Sequence, residues 1–367
     1  MPFEHIFTPL QIGSIQLENR IVLPPMVTFG LSGADGMVTR DVVRHYARRA
    51  CGGVGLLIVE ATCIHPDGKL VQGQLGLWDD AQIEGHQMLT DAVHVFDRPV
   101  LVQLHHAGLK AVGEARVSAS DYDGDDLGQR YTARGMTQKE VQDCIDGFIA
   151  AARRAQQAGY DGVEVHGAHS YLLSQFFSTR VNRRTDAYGG SVENRARIAT
   201  QIIAGIKAAC GASFVVSVRM GCNEPDVQGS VALAHLLAAA GADMLNISTG
   251  FMHAQSLPPM QQAFDFSPKV YFASQMHEQL PVPMVCVGDV RTPEQAERIL
   301  QQGLSDLVAV GRGLLSDENF VNRARNGQVP NTCLGCKRCM WYTDGRRCPV
   351  QLRAQRTRRE QAPRTLC

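Results

Sequence analysis

The segment VEVHGAHSYLLSQFF, residues 163–177, sets two imidazoles three positions apart, His166 and His169, with a phenol two positions further on, Tyr171. Imidazole N–H groups can receive an oxygen that gains negative charge. A phenol with an ordinary pKa of about 10 stays protonated at neutral pH and can act as an acid. The same residues would equally serve as hydrogen-bonded loop histidines and a core tyrosine. A second cluster lies in NTCLGCKRCMWYTDGRRCPV, where Cys333, Cys336, Cys339 and Cys348 are separated by two, two and eight residues. The first three match the tight loop that wraps a cubane iron–sulfur cluster, and the fourth completes the set. Tetrahedral zinc and unligated thiols are the competing readings. Third, Gly288 and the pair Gly311 and Arg312 follow apolar runs near the C-terminus. Backbone N–H groups and a guanidinium placed there suit a phosphate.

These groups need a frame, and one unit recurs along the chain: a helix-like stretch, a glycine, then a short apolar run. Gly53 leads into GLLIVEA, Gly159 into DGVEVHG, Gly241 into DMLNIS and Gly303 into SDLVAVG. Each glycine suits a left-handed helix C-cap, and each run suits a strand buried on both faces of a parallel sheet. Such runs fall near residues 20–25, 54–60, 99–104, 161–166, 214–219, 243–247, 283–287 and 306–310, eight in all. Eight parallel strands close a (β/α)8 TIM barrel, and His166 then stands at the C-terminal end of the fourth strand, where such barrels keep their catalytic groups. An open doubly wound sheet is disfavoured because no candidate strand is followed by the glycine-rich dinucleotide fingerprint.

Helix starts are legible as capping boxes at Thr137 with Glu140, and at Thr292 with Pro293 and Gln295. After Thr137, the positions Val141, Cys144, Ile145, Phe148, Ile149 and Ala152 recur on one helical face. Ahead of the first strand, PLQIGSIQLENR predicts a hairpin turning at Gly13-Ser14 and lying as a lid on the barrel bottom. Residues 105–136 form a long connection of the kind that builds an active site. The expected division is a barrel over 1–330, a four-cysteine metal or iron–sulfur segment over 331–350, and a basic, poorly ordered tail over 351–367.

With 36 basic and 36 acidic side chains the formal charge is zero, which argues against nucleic acid or an anionic membrane as partner and for a small-molecule substrate. The longest apolar stretches, such as Val54 to Val59, are far too short to cross a bilayer. The N-terminus MPFEHIFTPLQIG lacks a basic n-region and an apolar h-region, so a cytoplasmic location is expected. In that reducing setting Cys51, Cys63, Cys144, Cys210, Cys222, Cys286 and Cys367 read as small hydrophobes or inert thiols. The oligomeric state is left open.

The stretch from HGAHSYLLSQF to YGGSVENR closely resembles the Old Yellow Enzyme family, the NADH:flavin oxidoreductases, and within it the barrel portion of the 2,4-dienoyl-CoA reductases. The resemblance extends to FTPLQIGSIQLENRIVLPPM, VEAT, VQLHHAGLKA, SVRMG, VGDVRTPEQAERIL and VGRGLL, and so covers nearly the whole chain. It implies an FMN-binding barrel that reduces an alkene conjugated to an electron-withdrawing group. On that resemblance Pro25, Met26 and Ala61 would line the flavin through their backbones, and Gln103 would bond the pyrimidine edge of the ring. Arg219 would place its cation where negative charge develops on reduction. Gly288, Gly311 and Arg312 would hold the FMN phosphate. His166 and His169 would bind the substrate oxygen, Tyr171 would donate the proton, and Phe29 would face the substrate. The residue after Met26, in many relatives a Cys or Thr that touches the flavin, is Val27, which predicts an altered flavin potential. The dienoyl-CoA reductase branch carries a 4Fe-4S cluster at the position of NTCLGC, although here the third and fourth cysteines follow more closely than usual. Longer relatives add a C-terminal domain that supplies electrons from NAD(P)H. This chain is expected to lack that domain, so its electrons would come from NAD(P)H directly or from a separate donor protein. The rival readings are an amine dehydrogenase of the trimethylamine dehydrogenase type, a flavin electron-transfer subunit without an organic substrate, and a barrel lyase acting on a phosphorylated substrate.

Overall fold

A computed structural model describes residues 3–33, 35–126, 128–251, 257, 260, 263–344 and 346–361, with the backbone alone at 355 and 357–361. A hairpin of β1 (Leu10–Ile12) and β2 (Ile15–Leu17) turns at Gly13, whose φ of +53° is the left-handed region the turn requires. Barrel strands β3 (Ile21–Leu23), β4 (Leu56–Cys63) and β5 (Val100–His105) follow, and after them an excursion of three short strands: β6 (Val117–Ser118), β7 (Tyr122–Asp126) and β8 (Gln129–Gly135). The barrel resumes with β9 (Gly162–Gly167), β10 (Val215–Gly221), β11 (Met244–Ser248), β12 (Met284–Val287) and β13 (Leu307–Ala309). The eight strands β3-β4-β5-β9-β10-β11-β12-β13 close on themselves, all parallel, at the positions the apolar runs predicted.

Between them run α1 (Arg40–Cys51), α2 (Ile83–His94), α3 (Gln138–Gln157), α4 (Leu172–Phe177), α5 (Val192–Cys210), α6 (Val227–Ala239), α7 (Pro268–His277), α8 (Pro293–Gln301), α9 (Arg312–Ser316) and α10 (Phe320–Arg325). Gly53, Gly159, Gly241 and Gly303 all take positive φ, from +65° to +111°, as left-handed helix ends require. Both predicted capping boxes form, at Thr137 with Glu140 and at Thr292 with Gln295. Among the described residues no helix is long and apolar enough to cross a membrane.

Strand periodicity of two divides the barrel's contents. Outward residues such as Val102, Val163, Val165, Val216, Val218, Leu245 and Ile247 join the surrounding helices in one large apolar cluster. Inward residues at the bottom, Val22, Leu56, Ile58, Leu101, Val215, Met244, Val285 and Leu307, pack with Ile12 and Leu17 of the hairpin, which is the lid the sequence predicted. In β9 the inward bottom position is Gly162, where a Cβ would stand 2.2 Å from the Val215 carbonyl oxygen. Higher in the barrel the inward residues turn polar.

Two expectations change. The basic tail is helical in its described part, as α11 (Pro349–Gln361), where a poorly ordered segment was expected; residues 362–367, including Cys367, lie outside the described residues. Cys51 is exposed, whereas Cys63, Cys144, Cys210, Cys222 and Cys286 are buried as small hydrophobes would be.

The Thr137 cap also ties the excursion down, because Glu140 accepts from the Thr137 backbone N–H at 2.8 Å and from Arg134 of β8 at 2.8 Å. Replacing Thr137 by Ala is expected to cost about 1 kcal/mol of stability, read as a lowered thermal midpoint with unchanged barrel circular dichroism.

Candidate active site

The polar half of the barrel starts one layer above the apolar floor. Glu164 of β9 points inward and is buried, and its carboxylate accepts from Gln103 Nε2 at 2.7 Å, Asn246 Nδ2 at 2.9 Å and Ser217 Oγ at 3.1 Å. Burial pushes the Glu164 pKa up. The nearby Arg219 guanidinium and the three donors oppose that shift and favour the charged form. Arg219, one inward position above Ser217 on β10, is buried as well, and its Nε has no hydrogen-bond partner among the described residues. Burial lowers its pKa while the Glu164 carboxylate raises it.

One layer higher, at the mouth, three imidazoles meet. His105 Nδ1 and His166 Nδ1 share a hydrogen bond of 3.0 Å, His166 Nε2 and His169 Nδ1 share one of 3.0 Å, and His169 Nε2 shares one of 2.8 Å with Ser248 Oγ. Burial pushes His105 down to about 3 and holds His166 and His169 well below the usual histidine range, with neighbouring cations adding to it. Each ring is therefore neutral and carries one proton. The bonds can only run head to tail: either every ring donates toward Ser248, or every ring accepts from the Ser248 side. His105 Nε2 is buried and unpartnered among the described residues, so it ends the row.

Tyr171 closes the set. Its ring stands edge-on to His105, His166 and His169, with centroids 4.5, 5.0 and 6.3 Å away. Its hydroxyl has no hydrogen-bond partner among the described residues, and burial pushes its pKa up, so the phenol stays protonated. His169 and Ser170 take positive φ, +62° and +63°, and their N–H groups donate to Thr249 and Gly250 carbonyls. This strained turn swings Tyr171 back over the histidines. Above the tyrosine the loop between β5 and β6 contributes Lys110, whose ammonium lies 5.6 Å from the Tyr171 ring centroid and pairs with the buried Asp126 carboxylate of β7.

The remaining predicted residues line the same mouth. Pro25 is buried and Met26 half-buried just past β3, and Ala61 of β4 uses its carbonyl to accept from Gln74 Nε2 at 2.8 Å. Phe29 packs edge-on against Tyr342, with centroids 5.9 Å apart. The Val27 carbonyl accepts from the Trp341 indole at 3.0 Å, and Thr28 donates to Glu60 through its backbone N–H at 2.6 Å and through its hydroxyl. A Cβ at Gly311 would stand 3.2 Å from Met26 Sδ, and one at Gly288 would stand 2.2 Å from Ser267 Oγ. Beside these glycines Arg312 pairs with Asp289.

The cysteines do not behave as a ligand set. Cys333, Cys336, Cys339 and Cys348 are half-buried free thiols, and among the described residues no group of three or more His, Cys, Asp or Glu side chains is assembled to hold a metal ion. The iron–sulfur cluster and the zinc that the spacing suggested are not supported by this arrangement of the described residues. Between the third and fourth cysteines the chain is committed to packing: Met340–Tyr342 forms a single 3-10 turn that drives Trp341 into the barrel wall, and Cys348 is followed directly by α11. Spacing alone could not reveal that commitment.

A parallel eight-stranded barrel with catalytic-type side chains gathered at the carboxyl ends of its strands is a (β/α)8-barrel enzyme. Residues 5–331 match the model of the NADH:flavin oxidoreductase / NADH oxidase family. The chain is 38% identical over 350 residues to the NADH oxidase of Thermoanaerobacter brockii, covering 91% of this chain and 53% of that protein. It is 36% identical over 333 residues to the NADPH dehydrogenase of Bacillus subtilis, covering 89% of this chain and 96% of that protein. The structure of an old yellow enzyme homologue from Zymomonas mobilis superposes with a TM-score of 0.78 at 27% identity, over 92% of this chain and 98% of that one. The chain thus spans about half the length of the Thermoanaerobacter relative and nearly all of the Bacillus one. It belongs to the NADH:flavin oxidoreductase / NADH oxidase family, the Old Yellow Enzyme relatives, and is an FMN-dependent NAD(P)H oxidoreductase.

Sequence reading missed Glu164, Asn246, Ser217 and Ser248, although strand alternation from His166 and Arg219 would have pointed inward to Glu164 and Ser217. His105 lay in the quoted VQLHHAGLKA without a role.

A buried imidazole with a depressed pKa binds fewer protons folded than unfolded. Its contribution is present above the unfolded pKa of about 6.5 and is lost as pH falls toward the folded value. Glu60 and Glu224, both pushed up to about 7 by burial, act in the opposite sense over the same window. The histidine part is isolated by difference. His105→Leu is expected to lose less stability than the wild type between pH 7.5 and pH 5, read from urea midpoints at both; an equal loss in the two proteins would count against a buried neutral His105.

Proposed function

We propose that the chain is an ene-reductase: it holds FMN across the barrel mouth and reduces a carbon–carbon double bond conjugated to a carbonyl group, with Tyr171 as proton donor. The observation that carries this reading is the meeting of Tyr171 with the His166 and His169 imidazoles at the strand ends, at centroid distances of 5.0 and 6.3 Å. An enone, a dienoyl thioester or an unsaturated acid derivative has the oxygen that two imidazoles would hold and the carbon that a phenol would protonate.

The residues present fit the flavin. Arg219 Nε and Asn246 Oδ1 are buried polar atoms without partners among the described residues, as expected beneath a ring with a polar edge. Gln103 and Arg219 would meet that edge, the first held by the Glu164 carboxylate and the second balanced by its charge, while Pro25, Met26 and Ala61 would line the ring. Gly288, Gly311 and Arg312 would take the phosphate through backbone N–H groups and a guanidinium. When bound, FMN supplies the hydride.

The protein's own residues do the rest. All four ring nitrogens of His166 and His169 are engaged, so each imidazole that receives the substrate oxygen must exchange one internal bond. The exchange that leaves the smallest deficit is at Ser248, whose hydroxyl can rotate; releasing His105 would strand a second buried nitrogen. Tyr171 then gives its proton to the carbon, and the Arg219 guanidinium favours the negative charge that the phenol oxygen acquires. Phe29 would stand against the substrate from the opposite wall. Val27 has no side-chain donor for the flavin, and its carbonyl is held by Trp341.

In the variant Tyr171→Phe, flavin content and reduction by NADPH should match the wild type. Reoxidation by an enone should slow by roughly 10²–10⁴-fold, the usual share of a positioned acid. Stopped-flow measurement of the two half-reactions separates these, and an equal loss in both, or turnover of a tertiary amine in place of the enone, would overturn the reading.

A further inference from the structure

Behind the barrel wall, between α1, the Met340–Tyr342 turn and the start of α11, lies a cavity of about 320 Å³. Its lining holds four guanidiniums, Arg44, Arg48, Arg49 and Arg346, against two carboxylates, Asp41 and Glu318. The helix periodicity of α1 puts Arg44 three positions after Asp41, Arg48 four after Arg44 and Arg49 four after His45, so one side of α1 carries most of this charge. Arg44 pairs with Asp41 at 3.2 Å, Arg48 with Glu318 at 3.7 Å, and Arg346 with Asp344 at 3.0 Å.

Arg49 is different. It is 2% exposed, donates through Nε to the Leu314 carbonyl at 3.1 Å, and donates through Nη1 to the His45 carbonyl at 2.7 Å and to His45 Nδ1 at 2.9 Å. Its Nη2 has no hydrogen-bond partner among the described residues, and Glu318, the carboxylate that acts on it most, makes its ion pair with Arg48 instead. His45 is buried between Arg49 and Arg48, is held neutral and supplies no charge. A guanidinium keeps its proton in any protein environment, so the cation stays and its burial is costly without a counter-ion. Even with Asp344 counted, four guanidiniums face three carboxylates, and the cavity has the sign and the donors for an anion.

We infer that this cavity binds a phosphate-class anion as the counter-ion of Arg49, with Arg44, Arg48 and Arg346 completing the donor set. Guanidinium forks match phosphate oxygens in geometry as well as charge. The volume exceeds that of a lone phosphate and reaches the lower range of small-molecule pockets, so the anion would come either as free inorganic phosphate or as the phosphomonoester of a small nucleotide. The cavity shares walls with the active site. Trp341 lines it, packs on His45 with centroids 5.2 Å apart, and donates to the Val27 carbonyl. Tyr46, next to His45, accepts through its hydroxyl from the Glu60 backbone N–H at 2.8 Å, and the Glu60 carboxylate in turn holds Thr28. An occupant would therefore stiffen the segment that borders the flavin.

The test uses the FMN-loaded full chain, so that the flavin phosphate site is filled. Inorganic phosphate, a nucleoside monophosphate and, as control, chloride at matched ionic strength are titrated while the thermal midpoint is followed. The chain has two tryptophans, so Trp78→Phe leaves Trp341 as the cavity's own fluorescent reporter. Expected are a saturating rise in midpoint and a saturating change in Trp341 emission with phosphate, absent with chloride, lost in Arg49→Met and at least tenfold weaker in Arg346→Gln. Half-saturation at a lower concentration of nucleotide than of phosphate identifies the phosphomonoester as the source, and any other order identifies the free ion. Should Arg49→Met fail to fold, the exposed Arg346→Gln decides. No saturation, a response matched by chloride, a response unchanged in Arg346→Gln, or release of FMN during the titration would overturn the inference.

Discussion

Glu164 places a carboxylate inside the barrel, away from water, and the rest of the site is arranged around that fact. A buried carboxylate is tolerated only when its oxygens are hydrogen-bonded and its charge is balanced. Gln103, Ser217 and Asn246, from three other strands, give it donors, and Arg219 gives it a countercharge. In return the carboxylate fixes Gln103 and balances Arg219, two of the residues that would meet the flavin. Removing such an acceptor would leave three donors buried without partners, a loss of about 1–3 kcal/mol for each one stranded. The apolar floor and the hairpin lid below supply the dry, packed foundation on which this polar layer rests.

The layer above follows the same logic with neutral groups. Three imidazoles in a row, each deprived of water, cannot charge without losing their favourable burial, so they must agree on a direction of donation. Ser248 at one end can rotate and His105 at the other cannot, which makes the serine end the adaptable one. Tyr171 owes its position to a backbone turn with two positive-φ residues, held by Thr249 and Gly250 carbonyls. Local strain thus serves to aim one phenol, and the surrounding strands are rigid enough to bear it.

The fold was largely legible because its signals are local. A left-handed glycine at a helix end, a capping threonine with its glutamate and a run of β-branched residues each act over a few positions, and Gly53, Gly159, Thr137 and Thr292 all behave as read. His166, His169, Tyr171 and Arg219 could be placed because the end of a barrel strand fixes where a side chain emerges. Glu164 and Asn246 meet only through closure of the barrel, across 82 positions, and no short pattern announces such a contact. The spacing of the four cysteines permits a metal loop, and the burial of Trp341 between the third and the fourth is a packing contact that no spacing announces. The excursion β6–β8 was legible only as a long loop, because its strands are short and polar and depend on one another for pairing.

The most direct test of the central role given to Glu164 is the affinity of deflavinated protein for FMN, measured by quenching of flavin fluorescence in the wild type and in Glu164→Gln. The amide keeps the shape but removes the charge that balances Arg219, and it turns one acceptor into a donor facing donors. The wild type should bind one FMN per chain and the variant should bind it at least tenfold more weakly. Equal affinities would contradict the account.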